Sequence, residues 1–389
     1  MINLEIMENI HFTPGILPPQ TDELRMRVRG FLAEHLSDYA SVKRSQSWSG
    51  SDRAFSKLMG ANGYIGMTWP KKYNGGEHSA LERYVMLEEM LAAGAPVAAH
   101  WIADRQSGPL LLNFGTEEQR QRFLPPITKG ESYFCIGMSE PNSGSDLASI
   151  RTHGKHTKQG WSINGSKIWT SKANISTYMI ALIRTRPQDP KNRHDGLSQF
   201  LIDMKTPGIT IRPIQNMAGE KMFNEIFFDD VIVPDNMLVG TEGGGWGQVT
   251  TELAFERSGP ERYLSSIQLI YELINELSEN PTERSAIGIG RLIAHLGTLR
   301  QMSLSIASML EAGESPNLAA AIVKEVGGGF EQEIPSLAYK LTGRVPLLAD
   351  GNDFDQVMAY ITQVSRSFSL RGGTREIMRG IIARGLGLR

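Results

Sequence analysis

The segment Cys135–Ser149, CIGMSEPNSGSDLAS, is where the chain changes character. It opens as an apolar strand, turns at Ser-Glu-Pro, and runs through Asn142-Ser143-Gly144-Ser145 to Asp146. A loop of such small residues exposes backbone N–H groups and hydroxyls, which suits a polar ligand bearing phosphate or a flavin. Read as backbone alone, it is equally an ordinary β-turn.

Upstream, from about Thr21 to Phe123, the pattern is helical. Thr21 precedes two acids, and Leu24, Val28, Phe31, Leu32 and His35 share one helical face. Thr116–Gln119, TEEQ, is a capping box that opens another helix, which Pro125 and Pro126 are expected to stop. Downstream, Asn164-Gly165 within WSINGSKIW is a hairpin signal between two short strands. Further strands are expected over 178–185, 198–204, 209–214 and 224–234. From Trp246 onward four long helices are predicted, over 247–278, 285–311, 317–343 and 353–384. Short connections between them suggest an antiparallel bundle. The expected class is therefore α+β and multidomain. A helical domain (1–130) precedes a central β-barrel-like domain (131–240) and a C-terminal four-helix bundle (241–389).

Composition narrows the function. The chain has 389 residues, 40 % of them hydrophobic, and a net charge of −2. That balance leaves no basic excess for nucleic acid. The single Cys135 rules out an internal disulfide and any multi-cysteine metal site. No apolar run is long enough for a membrane span, and the acidic start, MINLEIMENIHFTPG, lacks the charge of a signal peptide. A cytoplasmic location is expected. Gly288-x-Gly290 follows a loop between helices, so it is no dinucleotide fingerprint. Glu242–Gly247, EGGGWG, reads as a flexible junction, and His153 with His156 lacks a third metal ligand. In KIWTS, Trp169 stands before Thr170 and Ser171. The indole could cover a planar ring beside two hydroxyls, or it could be an ordinary core tryptophan.

Taken together, SEPNSGSD, KIWTS, FNEIFFDDVIVP and GGTREIMRGIIARGLG, in that order, resemble the signature motifs of the acyl-CoA dehydrogenase family. The likeness spans nearly the whole chain, and the α–β–α order matches that family's architecture. It implies bound FAD, with the isoalloxazine lined by Ile136, Met138, Ser139, Gly144 and Ser145. Trp169 would pack on the ring, with Thr170 beside it and Ser171 near N5, and Thr374 and Glu376 would join from the C-terminal motif. The implied reaction removes two hydrogens from an acyl-CoA thioester. A carboxylate takes the Cα proton, hydride leaves Cβ for flavin N5, and electrons pass to an electron-transferring flavoprotein. Ser145, Arg257 and Gly373 would contact the substrate.

Many family members carry the base in a Glu-Gly-Thr motif. Here the aligned residues are Gly372-Gly373-Thr374, so that carboxylate is missing. One subset places its glutamate before an arginine on the first bundle helix, and the matching pair here is Glu256-Arg257. Pro260 lacks an N–H for the Glu256 carbonyl, which should loosen the helix there. Gly372 would still offer a backbone N–H to the thioester carbonyl. Two family features are absent. No Arg-x-x-Phe-Gly stands at SENPTERSAIG, and no Gln-x-x-Gly-Gly stands at LADGNDFDQV. In the family these hold the ADP half of FAD across a subunit interface. Similar losses mark branches that work as paired unlike subunits, some on bulky or steroid acyl-CoAs. The chain is thus expected in a homo- or hetero-oligomer, a dimer or tetramer. A silent partner subunit, or a flavin oxidase or monooxygenase, are the alternative readings.

Overall fold

The computed structural model describes residues 10–256, 259–349 and 351–388, the side chains of 251–256 excepted. The chain forms two compact units. One comprises residues 51–77 and 97–253; the other comprises residues 1–50, 78–96 and 254–389.

The first unit is built on a sheet whose strands are β1 (Phe134–Gly137), β2 (His153–Thr157), β3 (Gly160–Ser171), β4 (Tyr178–Arg184), β5 (Leu197–Asp203), β6 (Ile209–Ile214), β7 (Phe223–Val233) and β8 (Leu238–Val239). The order is β6-β7-β3-β2-β4-β5-β8, and β1 pairs in parallel with β4. Residues Met179–Ile183 of β4 and Leu197, Phe200, Leu201 and Ile202 of β5 are fully buried. Continuous apolar runs of this kind suit strands covered on both faces. The same unit holds helices α2 (Arg53–Ala61), α4 (Ala98–Ile102), α5 (Gly108–Phe114) and α6 (Glu117–Thr128). Phe123 of α6 meets Tyr178 edge-on at 5.0 Å, seating that helix on β4.

Two expectations are corrected here. The predicted Asn164-Gly165 hairpin is instead an irregularity inside one long strand, between Ile163 and Gly165 on the β7 side. Gly165 takes φ 136°, and a Cβ there would sit 2.6 Å from Thr152 Oγ1, so the site needs glycine for close approach as well as conformation. The second correction concerns Pro125 and Pro126, which lie inside α6 rather than ending it at Phe123. Gln121 and Arg122, whose carbonyls lose their helical donors, are exposed, so water can replace the missing bonds. The TEEQ capping box forms as expected, with reciprocal Thr116–Gln119 bonds.

The second unit holds α1 (Gln20–His35) and α3 (Ala80–Ala92), then α8 (Ile267–Ser278), α9 (Glu283–Glu311), α10 (Asn317–Thr342), α11 (Asp353–Val364) and α12 (Arg375–Gly385). An ion network on Glu88 and Glu89 joins Arg25 and Arg29 of α1 to Arg300 of α9. Helix α7 (Gly245–Glu256) begins in the first unit, where Trp246 stacks on His194 at 4.0 Å. The EGGGWG segment therefore leads into a packed helix start. The long helices expected at 247–278 and 353–384 are each divided. Pro260–Arg262 forms a 3-10 turn between α7 and α8, and Ser365–Ser369 forms another before the loop leading into α12. Conversely, α10 runs unbroken through Gly327–Gly329 and Pro335. Its glycine has a packing reason: a Cβ on Gly327 would stand 2.3 Å from the Arg262 carbonyl oxygen.

Candidate active site

In the sheet unit, the two motifs flanking the candidate flavin position are fastened by one buried ion pair. Lys167, wholly buried, donates from Nζ to Glu140 Oε1 at 2.8 Å and to the Met138 carbonyl at 3.1 Å. The Glu140 carboxylate also accepts from the N–H groups of Arg151 (2.6 Å) and Thr152 (2.9 Å). The backbones of Glu140 and Ser143 bond reciprocally at 3.0 Å, and Ile168 N–H donates to the Ser139 carbonyl at 2.9 Å. Burial pulls the Lys167 ammonium down to about 8, which still leaves it charged at neutral pH. Burial pushes Glu140 upward, but Lys167 and the donors around it outweigh that and hold its carboxyl below the ordinary range.

This framework fixes the Ser139 carbonyl while leaving its donors available. Among the described residues, neither the Ser139 N–H nor its Oγ makes a hydrogen bond, and neither does Ser171 Oγ. Trp169 is 57 % exposed and sits at φ 60°, where β3 slips register against β7. A bulky residue in the left-handed region costs on the order of 1–3 kcal/mol, and such strain clusters at ligand sites. The tryptophan is therefore not a core residue. Thr170 differs from expectation. It is 1 % exposed with its Oγ1 unpartnered, because strand alternation turns it inward between Trp169 and Ser171. Ile136, Met138 and Ser139 are partly exposed, and Gly144 and Ser145 are exposed. Asp146 is held by Arg193 at 2.7 Å, closing that end of the loop.

In the helical unit, Gly372 and Gly373 have φ 66° and 98°, conformations that glycine adopts without steric cost. Lys324, buried, donates to the Gly373 carbonyl. Thr374 caps α12, its hydroxyl accepting from Ile377 N–H. Glu376 is exposed on the first turn, with the helix-end N–H and the Thr374 hydroxyl lowering its pKa. Arg375 and Arg379 both pair with Glu325. Arg371 points inward, on Glu331. Backbone is described as far as Glu256, whereas its side chain and the whole of Arg257 lie outside the described residues.

In the sheet unit the residues present suit the ring half of FAD: an exposed indole and unpaired donors on Ser139 and Ser171. The two segments lacking the ADP motifs are occupied otherwise. Thr282 and Ser285 cap α9, and Asn352 caps α11 while Asp355 pairs with Arg344. Sequence reasoning did not anticipate Lys167 or Arg371. Lys167 lies within KIWTS, but its partner is 27 residues away, and Glu331 is 40 residues from Arg371. No periodicity connects such pairs.

Comparison with known proteins agrees with this geometry. Residues 18–131, 135–231 and 243–387 match the N-terminal, middle and C-terminal domains of acyl-CoA dehydrogenase. IpdE1, an acyl-CoA dehydrogenase of Mycobacterium tuberculosis (strain ATCC 25618 / H37Rv), is 34 % identical over 94 % of this chain and 97 % of its own. The solved structure of the Tcur3481-Tcur3483 steroid ACAD matches with a TM-score of 0.86 at 28 % identity, over 95 % of this chain and 97 % of that one. A chain of the ChsE4-ChsE5 complex from Mycobacterium tuberculosis matches with a TM-score of 0.82 at 28 % identity, over 96 % and 98 %. The chain belongs to the acyl-CoA dehydrogenase family.

Proposed function

We propose that this chain catalyses the α,β-dehydrogenation of an acyl-CoA thioester to the trans-2-enoyl-CoA, with Glu256 as the base for the α-proton. The observation that carries the reading is the RGGT loop. The family's usual base position is a glycine held at positive φ, with no side chain to titrate, while α7 ends at Glu256, which Arg257 follows in the sequence. When bound, FAD supplies the two-electron acceptor. The protein's part is placement and charge. The Gly372 N–H donates to the thioester carbonyl and lowers the cost of the enolate-like charge. Glu256 removes the proton, which requires a water-poor setting that lifts its pKa toward the working pH. Ser145 and Gly373 orient the thioester, and Arg257 helps hold it. An electron-transferring flavoprotein would be the electron acceptor.

The likeness to the Tcur3481-Tcur3483 steroid ACAD supports a bulky, ring-bearing acyl group. The absence of both ADP-binding motifs, together with the two-chain names of the matched structures, supports assembly with an unlike subunit. The test is anaerobic titration of the purified flavoprotein, alone and with a co-expressed partner, using straight-chain, branched and ring-bearing acyl-CoAs. Bleaching of the flavin is expected, fastest with the ring-bearing thioester. If no thioester bleaches it, the chain is a silent subunit; if reduced flavin reoxidises rapidly in air with turnover, it is an oxidase.

A further inference from the structure

We propose that Arg371 is a positioning residue that locks the turn following Glu256 to the Gly372-Gly373 loop. The proton-accepting carboxylate and the carbonyl-polarising N–H would then move as one rigid pair. The inference rests on the roles given to Glu256 and Gly372 above.

The geometry lies wholly within the helical unit. Pro260–Arg262 is the first described element beyond Glu256, and the Glu261 carbonyl accepts from Arg371 Nη2 at 2.8 Å. The same nitrogen donates to Ser265 Oγ at 2.7 Å and Glu331 Oε2 at 2.9 Å. Ser265 closes the circuit, donating from Oγ to the Glu261 carbonyl at 2.9 Å and from N–H to Glu331 Oε1 at 2.8 Å. The guanidinium lies over the ring of Trp48 (4.5 Å to its centroid) and over that of Phe368 (4.3 Å). A guanidinium can meet aromatic rings while its N–H groups donate to oxygen acceptors. Glu331 is 1 % exposed, so its charge requires a fixed partner.

The adjoining residues show why this cluster bears on the chemistry. Gly372 and Gly373 have no side chains to hold their peptides, and glycine is the least constrained residue. The direction of the Gly372 N–H therefore depends on its anchors: Arg371 before it, and Lys324 and Thr374 after it. One helical turn before Glu331, Gly327 lets α10 press against the Arg262 carbonyl, so the same helix holds the turn at a second point. A buried ion pair can often be replaced by apolar residues without loss of stability. Its value in this place is orientation.

The test is Arg371→Met combined with Glu331→Gln, so that no uncompensated carboxylate is buried, with Arg371→Lys as a second variant. The holoenzyme should retain its flavin and its KM for acyl-CoA, while the bleaching rate falls about 100-fold, as an ångström of misplacement can cause. Hydrogen exchange should quicken together at Gly372–Thr374 and at Gly259–Ser265. A folded double variant that bleaches at the wild-type rate, or exchange that quickens in only one segment, overturns the proposal. If no thioester bleaches the wild type, the dehydrogenase reading falls, and the exchange result still decides the coupling.

Discussion

Lys167 shows how much a single residue can organise. Its ammonium is wholly buried and reaches both the Glu140 carboxylate and the Met138 carbonyl, so removing it leaves Glu140 charged and without its counter-ion. Lys167→Met should cost about 3–5 kcal/mol, measured by chemical denaturation, because an unpaired buried charge is worse than none. Lys167→Met with Glu140→Gln should recover most of that loss. The pair also sets an acid limb. Glu140 is held below the usual 4.5 in the folded state, so the unfolded chain takes up the proton first as pH falls. Its contribution is complete above 4.5 and vanishes as pH drops through the folded value. The stability gap between wild type and the double variant should therefore narrow as pH falls below the ordinary carboxylate range.

At the scale of elements, the sequence was most legible where chemistry repeats and least where one distant contact decides. The strands over 178–185, 198–204, 209–214 and 224–234 lie within a residue of their observed limits, since apolar runs bounded by Pro and Gly leave little choice. Asn164-Gly165 misled because a turn dipeptide and a bulge use the same glycine; what distinguishes them is Thr152 pressed against it from β2's entry. Gly165→Ala should accordingly destabilise by more than about 1 kcal/mol, since alanine meets both an unfavourable φ and a clash. A thermal shift below that of a neutral surface variant such as Lys158→Ala would show it; an unchanged Tm would remove the packing argument. Gly327 likewise reads as a helix weakness locally, yet the distant Arg262 carbonyl requires it.

For the whole molecule, the α–β–α order and the family were legible from four motifs in sequence. The candidate site was legible only in part. In the sheet unit Ser139 keeps its donors unpaired and Trp169 is exposed, whereas Thr170 turns inward by strand alternation; in the helical unit Gly372 sits at positive φ and Thr374 caps α12. The supports beneath them, Lys167–Glu140 and Arg371–Glu331, are long-range ion pairs that leave no local signature. The missing ADP motifs are equally a whole-molecule matter, because the residues in their place serve as helix caps. Glu256 carries the proposed proton transfer. Its central test is stopped-flow, anaerobic reduction of the flavin in Glu256→Gln by the best thioester. The variant should keep its bound, oxidised flavin and lose about 10²- to 10⁴-fold in bleaching rate, the usual contribution of a general base. Bleaching at the wild-type rate would contradict it.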